Sequence, residues 1–292
     1  MLERRYLTIP GFNPGTDAGG RRLSYLEARG AAGGVPVLCV HGLTRNALDF
    51  ERLAPALAES RRVIAIDVAG RGESDRLADP GRYHVATYAA DALALLAALG
   101  IAAVDWVGTS MGGLIGMAVA GAEDAGVRAH VRRLVLNDIG PFIPKAALAR
   151  IGEYVSRSWR FADLAAAEAH VRKAYAPFAL RTDADWRRLT EISVRPAPEG
   201  GLVQNYDPAI GDASRGRAPE DVDLWSAWNR VRCPTLVLRG AESDVLPAEV
   251  AQEMTRTGPK AELVEFAGVG HAPALLDDDQ IGAVARWLAR PE

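Results

Sequence analysis

The sequence is short of the features that tie a chain to a metal, a membrane or a nucleic acid. Only two of its 292 residues are cysteine, Cys39 inside an apolar run and Cys233 just before Pro234. Neither belongs to a Cys-x-x-Cys or other ligand-like spacing, so both read as buried thiols rather than disulfide partners or nucleophiles. No apolar run approaches the roughly 18 residues needed to cross a bilayer. Met1 to Pro10 carries Glu3, Arg4 and Arg5 but no apolar run like the central region of a signal peptide. A cytoplasmic protein without membrane contact is expected. Neither sign of charge dominates: 34 Lys+Arg stand against 37 Asp+Glu, a formal net charge of −3, which gives no reason to expect a nucleic-acid partner. Internal repeats and low-complexity tracts are absent. The acidic stretch Asp277 to Asp279 suits the start of a helix and is no evidence for a metal site.

What is present is an alternation of short apolar runs and helix-like segments. Arg4 to Ile9 and Arg22 to Ala28 read as two strands joined by a Gly/Pro/Asn-rich turn. Val37 to Val40, Val63 to Asp67, Val104 to Val107, Val131 to Leu136, Thr235 to Leu238 and Ala261 to Phe266 read as further strands, mostly apolar on both faces. Helices with apolar residues at helical spacing lie between them, as in Leu93, Leu96 and Leu99 before Gly100. Such alternation implies βαβ units, hence a mostly parallel sheet with helices on both faces. It stops between about Pro141 and Trp228, where helix-like pieces (Pro144 to Arg157, Ala162 to Ala176, Asp183 to Val194) and four tryptophans occur, so a helical insertion is expected. Arg150, Arg157, Arg172, Arg187 and Arg188 there read as a solvated face. The loop Ala69 to Asp75 is glycine-rich but lacks G-x-G-x-x-G and a Lys-Ser/Thr pair; it reads as a structural turn, with Asp67 and Arg71 as an architectural ion pair.

The chain is organised around Val104 to Gly113. A strand ends at Gly108, Ser110 follows between small residues, and a helix begins at once. So sharp a turn puts the serine at positive φ, leaves no room for a Cβ at Gly108 or Gly112, and aims the N–H of Met111 at the same point as the serine hydroxyl. Among the histidines, His271 lies in a Gly-flanked loop directly after the last strand. A parallel sheet puts that loop at the same edge as Ser110.

Gly108-x-Ser110-x-Gly112, His41-Gly42-Leu43 after an earlier strand, Gly240-x-x-Ser243-Asp244 and Gly268-x-Gly270-His271-Ala272-Pro273 together resemble the α/β-hydrolase superfamily. The resemblance implies an α/β-hydrolase fold in two parts, residues 1–140 and 230–292, with a helical cap at 141–229. It implies Ser110 as nucleophile, His271 as base and backbone N–H groups of Leu43 and Met111 as oxyanion hole. The family's usual place for the acid matches Asp244, with Asp138, at the end of the preceding core strand, in reserve. Serine at 110 speaks against haloalkane dehalogenases and epoxide hydrolases, and no glycine run follows His41. The implied activity is hydrolysis of carboxylic esters of small to medium acyl groups through an acyl-enzyme, without cofactor or metal. The same triad would serve a lactonase or a carbon–carbon bond hydrolase, and a hydrolase-like binding protein is a further alternative. Aromatic residues of the cap are expected to line an acyl pocket, or to form the cap's own core.

Overall fold

The computed structural model describes residues 2–10, 20–30, 34–155, 157–214 and 218–291. The turn expected between the first two strands lies largely outside them, as do residues 31–33 and Ser156. The chain opens with β1 (Leu2–Ile9), β2 (Arg21–Ala28) and β3 (Val37–Val40), then α1 (Leu53–Leu57), β4 (Val63–Ile66), α2 (Val85–Ala98), β5 (Val104–Thr109), α3 (Met111–Ala120), α4 (Ala125–Arg128) and β6 (Val131–Asn137). The intervening segment holds β7 (Phe142–Ile143), α5 (Lys145–Val155), β8 (Arg160–Phe161), α6 (Leu164–Ala174), α7 (Asp183–Ser193), β9 (Val194–Pro196), β10 (Leu202–Gln204), β11 (Val222–Asp223) and α8 (Trp225–Trp228). The chain closes with β12 (Thr235–Gly240), α9 (Ala248–Met254), β13 (Glu262–Phe266) and α10 (Asp278–Leu288).

Eight strands form one sheet in the order β1-β2-β4-β3-β5-β6-β12-β13. β1 and β2 pair antiparallel, β2 runs antiparallel to β4, and every pairing from β4 to β13 is parallel. Successive side chains sort to opposite faces, as the pleat requires. Leu38, Val40, Ile64, Ile66, Trp106, Leu134 and Leu136 join one core with α2 and α3. Val37, Cys39, Val63, Ala65, Val107 and Val135 join the other with α1 and α10. Each such buried Val, Leu or Ile side chain contributes about 1.5–3 kcal/mol by leaving water. Burial also drives the Cys39 thiol up and the Cys233 thiol to about 11, so both stay protonated.

The insertion is less purely helical than the sequence implies. Besides its helices it carries a three-stranded sheet, β8-β10-β9, and the pair β11-β7. Strands of two or three residues are too short to show a period of two, which is why they escape sequence inspection. No helix among the described residues is long and apolar enough to cross a membrane.

Candidate active site

Ser110 stands between β5 and α3 with φ 51° and ψ −116°. Its two glycine neighbours make that turn sterically feasible. A Cβ on Gly108 would lie 2.3 Å from the carbonyl oxygen of Gly112, and one on Gly112 would lie 1.9 Å from that of Val40. Trp106, fully buried, donates its indole N–H to the Gly112 carbonyl at 3.0 Å and fixes the first turn of α3 on the sheet. Met111 is the first helical residue, so its N–H belongs to the turn that has no intrahelical acceptor.

His271 faces Ser110 from the loop after β13. Its Nε2 lies 2.9 Å from Ser110 Oγ, and its Nδ1 lies 2.7 Å from Asp138 Oδ2. A carboxylate can only accept, so Nδ1 carries the proton and Nε2 is left to accept from the serine hydroxyl. Asp138 is fully buried at φ 59°, immediately after β6. Its Oδ1 accepts from Gly240 N–H at 2.8 Å and its Oδ2 from the Ser243 hydroxyl at 2.6 Å. Asn137 ties the same region together by donating to Pro273 O at 2.8 Å and to Thr109 Oγ1 at 3.0 Å.

Asp244 is therefore not the partner of His271. Its carboxylate is bound side-on by Arg150 of α5, Nε at 2.6 Å and Nη2 at 2.8 Å, with the Asp244 side chain 45% exposed. β6 and β12 are neighbours in the sheet, so an acid at the end of either strand can meet the histidine. Here Gly240-x-x-Ser243 supplies two donors that hold the carboxylate of the adjacent strand.

The loop after β3 passes beside the serine. A Cβ on Gly42 would stand 3.8 Å from Ser110 Cβ. The peptides on either side of Leu43 are held by buried side chains. His41 Nδ1 meets Gly42 O at 2.7 Å, while its Nε2 accepts from Val68 N–H at 3.0 Å. A carbonyl accepts and an amide donates, so the tautomer is determined, and burial lowers the ring's pKa to about 4 and keeps it neutral. Arg71 donates from Nε to Leu43 O at 2.9 Å and from Nη1 to Ala69 O at 2.8 Å. Its Nη2 lies 3.6 Å from Met111 Sδ. The ion pair expected between Arg71 and Asp67 is not formed. Asp67 instead meets Arg4 Nη1 at 2.6 Å and accepts from Ala47 and Glu73 N–H. Among the described residues no carboxylate pairs with the fully buried Arg71, whose guanidinium lies over Tyr88 (4.8 Å) and Tyr83 (5.6 Å). Neither His41 nor Arg71 carries a sequence signal for this role beyond its place beside a glycine.

Ser110 and His271 open on a cavity between the sheet edge and the insertion. Its wall includes Leu43 and Leu48 from the core and Tyr154, Tyr175, Phe178 and Ile192 from the insertion. None of the four insertion tryptophans lines it; Trp228 is fully buried in the main core, and Trp159 stacks near His170. The insertion's arginines are not a plainly solvated face either. Arg150 and Arg188 line the cavity and reach back to core carboxylates, Arg188 to Glu51 at 2.7 Å. Arg172 pairs with Glu168 and Asp183, and Arg187 with Glu168. No group of three or more His, Cys, Asp or Glu placed to hold a metal occurs among the described residues.

Residues 35–278 match the family model of the alpha/beta hydrolase fold. The chain is 39% identical over 281 residues to a 3-hydroxybutyrate-oligomer hydrolase of Cupriavidus necator, covering 93% of this chain and 94% of that protein. It is 29% identical over 245 residues to a 2-hydroxymuconate semialdehyde hydrolase of Pseudomonas putida, covering 82% and 81%. An alpha/beta hydrolase from Novosphingobium aromaticivorans superposes with a TM-score of 0.86 at 36% identity, over 99% of both chains.

Proposed function

Because the chain belongs to the α/β-hydrolase family and is a hydrolase, we propose that it cleaves carboxylic esters through an acyl-enzyme on Ser110 and that its substrates are short oligoesters of hydroxy acids. The observation that carries the reading is the unbroken hydrogen-bond relay from Ser110 Oγ to His271 to Asp138, 2.9 and 2.7 Å, with Ser110 and His271 lining a cavity beneath the insertion. The choice of oligoester rests on the 39% identity to the 3-hydroxybutyrate-oligomer hydrolase.

In this mechanism His271 Nε2 takes the proton of Ser110 Oγ as the oxygen attacks the ester carbonyl. Asp138 holds the ring in the one tautomer that can accept and stabilises the imidazolium that forms. Negative charge gathering on the carbonyl oxygen is met by the N–H groups of Leu43 and Met111. The imidazolium returns the proton to the leaving alkoxide, and a water, activated by the same Nε2, releases the acid. The segment at 141–229 acts as a cap that excludes solvent from the acyl-enzyme and shapes the pocket.

A substrate panel tests the reading. A linear 3-hydroxybutyrate dimer and p-nitrophenyl butyrate should be hydrolysed, and Ser110→Ala should abolish both activities. The relative at 29% identity marks the competing chemistry, so a ring-cleavage product with a vinylogous diketone belongs in the same panel. Turnover of that compound with no cleavage of either ester would replace ester hydrolysis by carbon–carbon bond hydrolysis.

A further inference from the structure

Three arginines line the cavity, and their charges are not balanced in the same way. Arg45 gives Nε and Nη2 to Asp49 and Nη1 to Ser193 Oγ. Arg188 gives Nε and Nη2 to Glu51 and Nη1 to Glu191. Asp49 and Glu51 line the same cavity, so these two cations are neutralised within its wall. Arg150 differs. Its Nε and Nη2 are bound by Asp244, which is not part of the lining, while Nη1 donates to no described residue.

The pair is half exposed, 36% for the Arg150 side chain and 45% for that of Asp244. An ion pair so open to water is screened and contributes on the order of 1 kcal/mol, so it rearranges at little cost, whereas a substrate filling the cavity excludes that water and strengthens the same kind of contact. Arg150 also sits one helical turn before Tyr154, with Ile151 between them, and all three line the cavity. A cationic donor thus stands beside apolar and aromatic surface, which suits an apolar acid carrying one terminal negative charge. The acid-bearing end of a hydroxy-acid oligoester has that chemistry.

We propose that Arg150 is the specificity residue that recognises the terminal carboxylate of the substrate, and that Asp244 holds its guanidinium side-on in waiting. The inference rests on the ester-hydrolase reading above. In the unliganded protein Asp244 occupies one edge of the guanidinium. The substrate carboxylate takes the edge that bears Nη1, or displaces Asp244 altogether. The planar fork favours two parallel hydrogen bonds to a carboxylate, which a lysine would not reproduce.

The experiment compares kcat/KM for the 3-hydroxybutyrate dimer as free acid with that for the same dimer capped as its terminal amide, beside p-nitrophenyl butyrate as a general ester. The ratio of acid to amide cancels any change in the shared chemistry. It should exceed one in the native protein and fall about ten- to hundredfold in Arg150→Met, the loss of a charge-assisted hydrogen bond, with part restored in Arg150→Lys. Asp244→Asn should raise the ratio or leave it high. If the pair is only a latch between insertion and core, Arg150→Met and Asp244→Asn will leave the ratio alike and unchanged, and the inference is overturned. A native ratio of one, or no cleavage of either dimer while p-nitrophenyl butyrate is hydrolysed, overturns it too. Failure to cleave even p-nitrophenyl butyrate would instead remove the ester-hydrolase reading on which it stands.

Discussion

Replacing Asp138 by asparagine removes one charge and almost no volume, so its consequences follow from hydrogen-bond donors and acceptors alone. The native carboxylate accepts three bonds, from Gly240 N–H on Oδ1 and from Ser243 Oγ and His271 Nδ1 on Oδ2. If the amide nitrogen takes the Oδ2 position, it confronts Nδ1 as a donor. The imidazole must then carry its proton on Nε2, which points a donor at Ser110 and leaves no base for the hydroxyl. If the nitrogen takes the Oδ1 position, the tautomer is kept but an N–H faces the Gly240 N–H. That clash costs about 1–3 kcal/mol, and the imidazolium loses its counter-charge. Either orientation disables proton transfer, and the wrong-tautomer outcome carries about a 10⁴-fold loss of kcat, near 5.4 kcal/mol. KM should change by less than about threefold, because Asp138 is fully buried and does not line the cavity. Asp244→Asn removes only a half-exposed ion pair and should be at least a hundredfold less damaging to kcat on an uncharged ester. Steady-state kinetics on p-nitrophenyl butyrate, with circular dichroism to verify folding, reads both variants. Folded Asp138→Asn with kcat within tenfold of native, or Asp244→Asn as severely impaired, would refute the reasoning.

Arg71→Met should keep the fold but loosen the peptide after Leu43, lowering kcat about ten- to hundredfold with little change in KM; an unchanged kcat would show that the guanidinium has no part in setting the oxyanion loop. His41 supplies a pH dependence of stability. Its ring titrates near 6.5 in the unfolded chain and at about 4 when buried, so the unfolded state binds the extra proton first. Its contribution to stability is full above pH 6.5 and is lost as pH falls from there towards 4, at up to about 1.4 kcal/mol per pH unit. Denaturant midpoints between pH 7 and 5 should fall in the native protein and fall less in His41→Gln; parallel slopes would contradict that assignment.

Much of this architecture is legible in the sequence because it depends on local steric and periodic constraints. The parallel strands announce themselves by apolar runs such as Val37 to Val40, and the turn at Ser110 by glycines that nothing larger can replace. The loop position of His271 after the last strand puts it at the serine's edge of the sheet. The acid is harder to find, since β6 and β12 end side by side and both Asp138 and Asp244 follow strand ends. Only the three-dimensional structure shows that Gly240 and Ser243 serve a carboxylate from the neighbouring strand. Arg71 was equally hidden: no local pattern tells which carbonyl a long side chain will reach, and its bond to Leu43 spans 28 residues of sequence. The cavity wall depends on how the insertion packs, and the aromatic residues that the insertion contributes to it are Tyr154, Tyr175 and Phe178 rather than the tryptophans.

The central claim is that Ser110 is a nucleophile activated through His271, and covalent trapping addresses it directly. Incubation with a fluorophosphonate should add one phosphonyl group per chain, on the peptide containing Ser110, with ester hydrolysis falling in proportion to labelling. Ser110→Ala should take up none. Hydrolysis that persists in fully labelled protein, or a label carried by another residue while Ser110 stays free, would contradict the account.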